Sequence, residues 1–156
     1  MKKFLSLFTA VMLTALLLTA CGGKKSADVS VDIKALHDEL AVTITSGDIA
    51  EASASIVETT YFLNKDKVEE SIASLNSGAG ACEVAVVKCK DSDYTKEVVD
   101  LFKNRVKSQS TLFASYNAEE VTKLDAAVIA SAGNYAVLCV TDDAEAAKQI
   151  IKKAGF

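Results

Sequence analysis

Residues 126–141 read AAVIASAGNYAVLCVT. Two apolar runs, 126–132 and 135–141, flank Gly133-Asn134, and a glycine at the first central position suits a two-residue primed turn whose twist matches the strands it joins. The stretch therefore reads as an antiparallel hairpin. A second hairpin lies upstream: Ser71 to Leu75 is a short strand candidate, 76–80 (NSGAG) is turn chemistry, and Ala81 to Lys90 (ACEVAVVKCK) is rich in valine. The glycines of that turn do not make a phosphate loop, because no Gly-Lys-Ser/Thr follows and the next element is a strand.

Helical periodicity fills the remainder. Ile33, Leu36, Leu40 and Ile44 form one buried stripe that Gly47 closes, and Asp48 with Glu51 has the form of a capping box for a second helix through Ile49, Ala52 and Ile56. Tyr61-Phe62-Leu63 is an apolar clamp before a charged turn at 64–70. The longest helix is expected over 93–116, capped by Ser92 or Asp91, with Tyr94, Val98, Leu101, Phe102, Val106, Leu112, Phe113 and Tyr116 as its stripe. Asn117 with Glu120 reads as a capping box for one further turn. The last helix is expected to be capped by Asp142 with Glu145 and to bury Ala147, Ile150, Ile151 and Ala154, with Lys152 and Lys153 at the negative end of its dipole. Two hairpins without βαβ alternation predict an α+β fold: an antiparallel four-stranded sheet with helices packed mainly on one face.

The N-terminus carries a different signal. Lys2 and Lys3 precede an apolar run from Phe4 to Ala20, which ends in Leu18-Thr19-Ala20-Cys21 and then Gly22-Gly23. A spanning helix needs roughly 20 apolar residues with a charged far flank, so the run reads as a secretory leader over 1–20 rather than an anchor. Its exit resembles the lipobox of bacterial lipoproteins, in which the cysteine thiol takes a diacylglyceryl group and the chain is cut just before it. Two acyl chains hold firmly where one does not, so a diacylated Cys21 is a stable anchor at the extracytoplasmic face of the membrane. Residues 21–29 then form a short tether, in which Lys24 and Lys25 face anionic headgroups or simply keep it soluble, and 30–156 form a single domain. Loss of Lys2 and Lys3 takes the formal charge from −4 to −6, which with no basic cluster disfavours nucleic acid as a partner.

Arg105 and Gln109 stand out inside the apolar stripe of the long helix, spaced i, i+4 so that their side chains can touch. They are the candidate site. One reading is a buried polar network that satisfies carbonyls or pairs with a carboxylate across the sheet. The other is a pocket wall holding an anionic group or a peptide carboxylate through the planar fork.

The second half resembles a family defined as a domain of unknown function and found in small lipoproteins of anaerobic Gram-positive bacteria. The resemblance rests on the helix with Arg105, Gln109, Phe113 and Tyr116, on Asn117 to Val121, on Ala127-Val128-Ile129, on Gly133-Asn134-Tyr135 and on Asp142-Asp143-Ala144. It covers most of 31–153. Ala118 departs from the family pattern, which has proline there, a change that loosens the first turn of a short helix. The resemblance implies a lipid anchor and brings no activity.

Chemistry is sparse. The single histidine, His37, sits at the edge of the first stripe, and no nucleophile elbow, His-Glu-x-x-His motif or carboxylate pair is legible, so no catalytic residue, cofactor or metal is assigned. Beyond Cys21, the cysteines are Cys82, Cys89 and Cys139. Cys82 and Cys89 fall on opposite faces of one strand, a Cys89–Cys139 bridge between neighbouring strands stays open, and small buried hydrophobes are the preferred reading. A zinc site of three thiolates with His37 lacks a Cys-x-x-Cys pair. The expected function is a membrane-anchored binding or interaction module in the cell envelope, with an envelope protein or a small anionic ligand as partner. An accessory solute-binding component of a transporter is the alternative, and a small thiol enzyme or hydrolase a weaker one.

Overall fold

A computed structural model describes residues 29–156; the expected leader at 1–20, the expected lipidation site Cys21 and the expected tether through residue 28 lie outside the described residues. The elements run α1 (Ile33–Ala41), β1 (Ile49–Glu51), α2 (Ala54–Tyr61), a 3₁₀ turn (Lys65–Lys67), β2 (Val68–Asn76), β3 (Glu83–Cys89), α3 (Ser92–Phe113), α4 (Ala118–Asp125), β4 (Val128–Ala132), β5 (Tyr135–Val140) and α5 (Ala144–Lys153). No helix among the described residues is long and apolar enough to cross a membrane.

Both hairpins form. Gly133 has φ +54° while Asn134 keeps a negative φ, the signature of a primed turn with only its first central residue in the left-handed region, and Ala132 faces Tyr135 across it. The sheet, however, has five antiparallel strands in the order β1-β2-β3-β5-β4, not four. The additional strand comes from Ile49–Glu51, which the Asp48 capping box had placed in a helix. Local capping yields here to the open edge of β2: Ile49 pairs with Asn76 and Glu51 with Ser74, and Ala52 N–H continues the ladder to Ala73 O at 2.9 Å. The helix starts only at Ala54, after Ser53.

Helices cover both faces of the sheet, which corrects the expectation of one main face. Ala85, Val87, Cys89, Ala136, Leu138 and Val140 pack against α2, α3 and α4 through Val57, Tyr61, Val98, Phe102 and Leu124. Val84, Val86, Val137 and Cys139 pack on the other side against Ile33, Leu36 and Leu40 of α1 and Ala147 and Ile151 of α5. A strand with one wet face must alternate; β5 is buried at every residue and β3 at all but Lys88, which is why both read as continuous apolar runs. Each such valine or leucine contributes about 1.5–3 kcal/mol when fully buried.

Two smaller corrections share one cause, that the side chains of Asp142 and Glu120 find partners distant in sequence. The cap of α5 is Asp143, which accepts from Ala146 N–H at 2.9 Å, not Asp142. Asn117 makes no side-chain cap bond, and Glu120 instead accepts from Ala81 N–H at 2.7 Å; α4 runs eight residues, not one turn. Cys89 and Cys139 lie on opposite faces, and all three described cysteines are free and buried.

The end of α2 carries strain. Phe62 caps it at φ +56°, where glycine is usual, and the residue is 81% exposed. Phe62→Gly removes the Cβ penalty of about 1 kcal/mol and gives up almost no burial, so the melting temperature should rise by about 2–4 °C in a thermal melt.

Candidate binding cleft

Asp91 caps α3 by accepting from Tyr94 N–H at 2.7 Å, and the helix then crosses the sheet toward the first residue of β3. There Arg105 meets Glu83. Its Nε donates to both carboxylate oxygens at 3.2 Å and its Nη2 to Oε2 at 2.9 Å. The Glu83 side chain is 3% exposed and Arg105 25%, so the carboxylate lies beneath and the guanidinium above it. This pair explains why a charged residue occupies a core-stripe position. The guanidinium also stands 6.0 Å from the Tyr61 ring, which packs edge-on against Phe102 at 5.3 Å. Burial, with the Glu83 charge beside it, holds the Tyr61 phenol well above its ordinary range. Its buried hydroxyl makes no hydrogen bond among the described residues.

Arg105 and Gln109 do come together. They line one cleft of about 250 Å³ with Thr60, Asn76, Glu83 and Tyr116. The β2–β3 turn forms its other wall, held by Asn76 Oδ1, which accepts from Gly78 N–H at 2.8 Å and Gly80 N–H at 3.2 Å. A guanidinium has five N–H donors, and Glu83 occupies only those on Nε and one edge of Nη2. The outer edge is left for an oxygen acceptor, and Gln109 beside it offers both a donor and an acceptor. Glu83 and Tyr61 escaped the sequence reading. A lone glutamate in the valine-rich run, in phase with Ala85, Val87 and Cys89, was the available signal for Glu83.

A second polar cluster closes the same end of the sheet. Asp142 accepts from Thr45 N–H at 2.7 Å, Ser46 N–H at 2.8 Å and Ser46 Oγ at 2.6 Å, and Lys123 reaches Ser46 Oγ at 2.6 Å, Glu120 at 2.9 Å and Asp142 at 3.1 Å. Burial works against the Lys123 charge, but Glu120 and Asp142 outweigh it and hold the ammonium above its usual range, so Lys123 is not a free amine base for Ser46. Burial likewise opposes the Asp142 charge, and the Ser46, Thr45 and Lys123 donors overcome it and hold the carboxyl well below the usual range.

A carboxyl depressed in the folded state stabilises fully above its unfolded pKa of about 4 and loses that contribution as pH falls below it. Urea unfolding at pH 5 and pH 2.5 should therefore show an acid loss smaller by about 2 kcal/mol in Asp142→Asn than in the parent chain. An equal acid loss would mean that other carboxylates carry it.

The remaining chemistry-bearing side chains are tied into the fold. His37 shares hydrogen bonds with Ser74 and Asp38, each at 3.0 Å, and pins α1 to β2. Burial raises the Cys82 and Cys89 thiols and pushes Cys139 up to about 12, so none is a resting thiolate. Among the described residues no group of three or more His, Cys, Asp or Glu is placed to hold a metal ion.

The pattern of the domain of unknown function DUF4358 matches residues 43–141. The chain belongs to this family. No curated protein and no solved structure matches it. The DUF4358 match opens at Thr43 and closes at Thr141, residues whose hydroxyls hydrogen-bond each other at 2.7 Å. It contains Tyr61, Glu83, Arg105 and Gln109 and leaves out α1, α5 and the Asp142-Asp143-Ala144 segment.

Proposed function

We propose that this DUF4358 chain is a lipid-anchored extracytoplasmic binding module whose cleft takes a small anionic ligand or a carboxylate presented by an envelope protein. The observation that carries the reading is the outer edge of Arg105: Glu83 orients the guanidinium from below and leaves donors facing the cleft beside Gln109. Placement supports it. Val29, the first described residue, lies against Gly133 and Gly155, while the cleft opens at the far end of the sheet, beyond the Glu83 and Val140 pair. Five residue steps of about 3.4 Å separate those ends along β5, roughly 17 Å, so the chain enters the described domain at the end away from the cleft.

Two measurements test this. Acyl labelling should reach the chain and vanish in Cys21→Ser; labelling that persists refutes the anchor. For the cleft, the chain is extracted from its own envelope and weighed intact by native mass spectrometry. Gln109→Leu leaves the Arg105–Glu83 pair in place, and it should lose a mass that the parent retains. The same mass bound by both, or none by either, refutes the cleft.

A further inference from the structure

The turn after α2 holds a strained residue whose side chain the fold does not use. Phe62 N–H and Leu63 N–H both donate to Glu58 O, the second at 2.9 Å, and the left-handed Phe62 lets Leu63 drop back into the core while Phe62 itself stays exposed. Glycine makes the same turn with less strain, so packing gives no reason for phenylalanine here. A singly exposed apolar residue is ordinary, but one that also carries a backbone cost points to a use outside the fold.

A run of contacts places this turn at the end where the chain enters. Asn64 N–H donates to Tyr94 Oη at 2.6 Å, in the first turn of α3. Lys67 O accepts from Lys90 N–H at 2.9 Å and Asp66 O from Lys90 Nζ at 2.8 Å. Cys89 N–H donates to Asn134 O at 2.7 Å, and the neighbouring Gly133 lies against Val29, the first described residue. Phe62 therefore shares the end of the domain away from the cleft with the chain entry. Eight residue steps of about 3.4 Å lead from Cys21 to Val29, so a lipid on Cys21 keeps Val29 within roughly 27 Å of a bilayer surface.

Charge around the turn is balanced. Lys67 pairs with Glu97 and Lys88 with Glu69, and among Lys65, Asp66, Glu70 and Lys90 the signs are even. The contact on offer is therefore apolar. One side chain falls far short of the roughly 800 Å² per partner of a specific protein interface, but it suffices for a bilayer already held close by a tether.

We propose that the Phe62 turn is a membrane-docking point, which inserts the Phe62 ring into the lipid interface and sets the domain with the Arg105 cleft facing away from the bilayer. The docking rests on the lipid anchor at Cys21 and is independent of what the cleft binds.

The chain contains no tryptophan, so a single one reports its own surroundings. Full-length Phe62→Trp and Val42→Trp, taken from bacterial membranes, are reconstituted into phosphatidylcholine vesicles with and without brominated acyl chains, and flotation separates bound from free chain. Val42 is the control: it is 78% exposed at the end of α1, beside the Thr43 and Thr141 pair at the cleft end of the sheet. Brominated lipid should quench the Phe62→Trp emission about twofold and leave the Val42→Trp emission unchanged. In the parent chain in nanodiscs, paramagnetic lipid should broaden the Leu63 and Lys65 amides, and Phe62→Gly, which relieves the strain and keeps the fold, should remove that broadening. A chain that does not float lacks the anchor and refutes both readings. A floating chain whose Phe62→Trp emission is not quenched, or is quenched no more than that of Val42→Trp, refutes the docking point alone. A Phe62→Trp emission that shifts to the blue with chain concentration and without quenching assigns the turn to a second copy and overturns the proposal.

Discussion

Arg105→Met should lower the stability of the domain by about 3–5 kcal/mol, read as a fall in the urea midpoint at unchanged m-value. Methionine keeps the apolar stem of the side chain, but it removes the guanidinium that stands by the Tyr61 ring and strands the Glu83 carboxylate, whose side chain is 3% exposed. The cost is that of an unpaired buried charge, not of a lost surface salt bridge, which would be about 0–1 kcal/mol. Arg105→Met combined with Glu83→Leu should recover most of the loss, because an apolar pair of similar volume needs no compensation. A single-variant loss below about 1 kcal/mol would show that Glu83 is hydrated in the folded state. The same experiment bears on binding: Gln109→Leu should leave the urea midpoint near the parent value, so folding and the cleft are separable.

Val137→Asp should unfold the domain. Val137 is fully buried on the face covered by α1 and α5. On a sheet with helices on one side only, every second residue of this strand would meet water and tolerate aspartate. In three layers it places a carboxylate with no cationic partner in the core, at a cost above about 4 kcal/mol, a large share of the roughly 5–15 kcal/mol available to a domain. Far-UV circular dichroism at 25 °C should show loss of native signal, whereas Val42→Asp, at a position 78% exposed, should change stability by less than about 0.5 kcal/mol. A urea midpoint for Val137→Asp close to that of the parent chain would refute the two-faced core.

Elements whose signal is local were legible. The Gly133-Asn134 hairpin, the α3 stripe and the α1 stripe each repeat at their own period within a few residues, and all three form, but α1 stops at Ala41 short of Ile44, and α3 stops at Phe113 with Leu112 and Tyr116 exposed rather than in its buried stripe. The Ile49–Glu51 strand was not, because three residues carry too little periodicity and the Asp48 and Glu51 spacing mimics a helix start. Caps failed in the same way: Asp142 and Glu120 have the side chains that cap helices, yet each is drawn to main-chain N–H groups far along the chain. Half of the candidate site followed suit. Arg105 and Gln109 were visible as misfits in an apolar stripe, while Glu83 and Tyr61 lie 22 and 44 positions before Arg105 and only folding sets them beside it.

Taken alone, the sequence established the two hairpins and the helices other than the start of α2, since backbone period and turn chemistry act between near neighbours. It also set the apolar runs of β3 and β5 and the polar pair at 105 and 109. The tertiary structure alone decided that α1 and α5 cover the second face, that β1 joins the edge of β2, and that Glu83 answers Arg105. Those outcomes depend on which surfaces remain unburied and which charges remain unpaired once the local elements exist, and that is a property of the assembled chain.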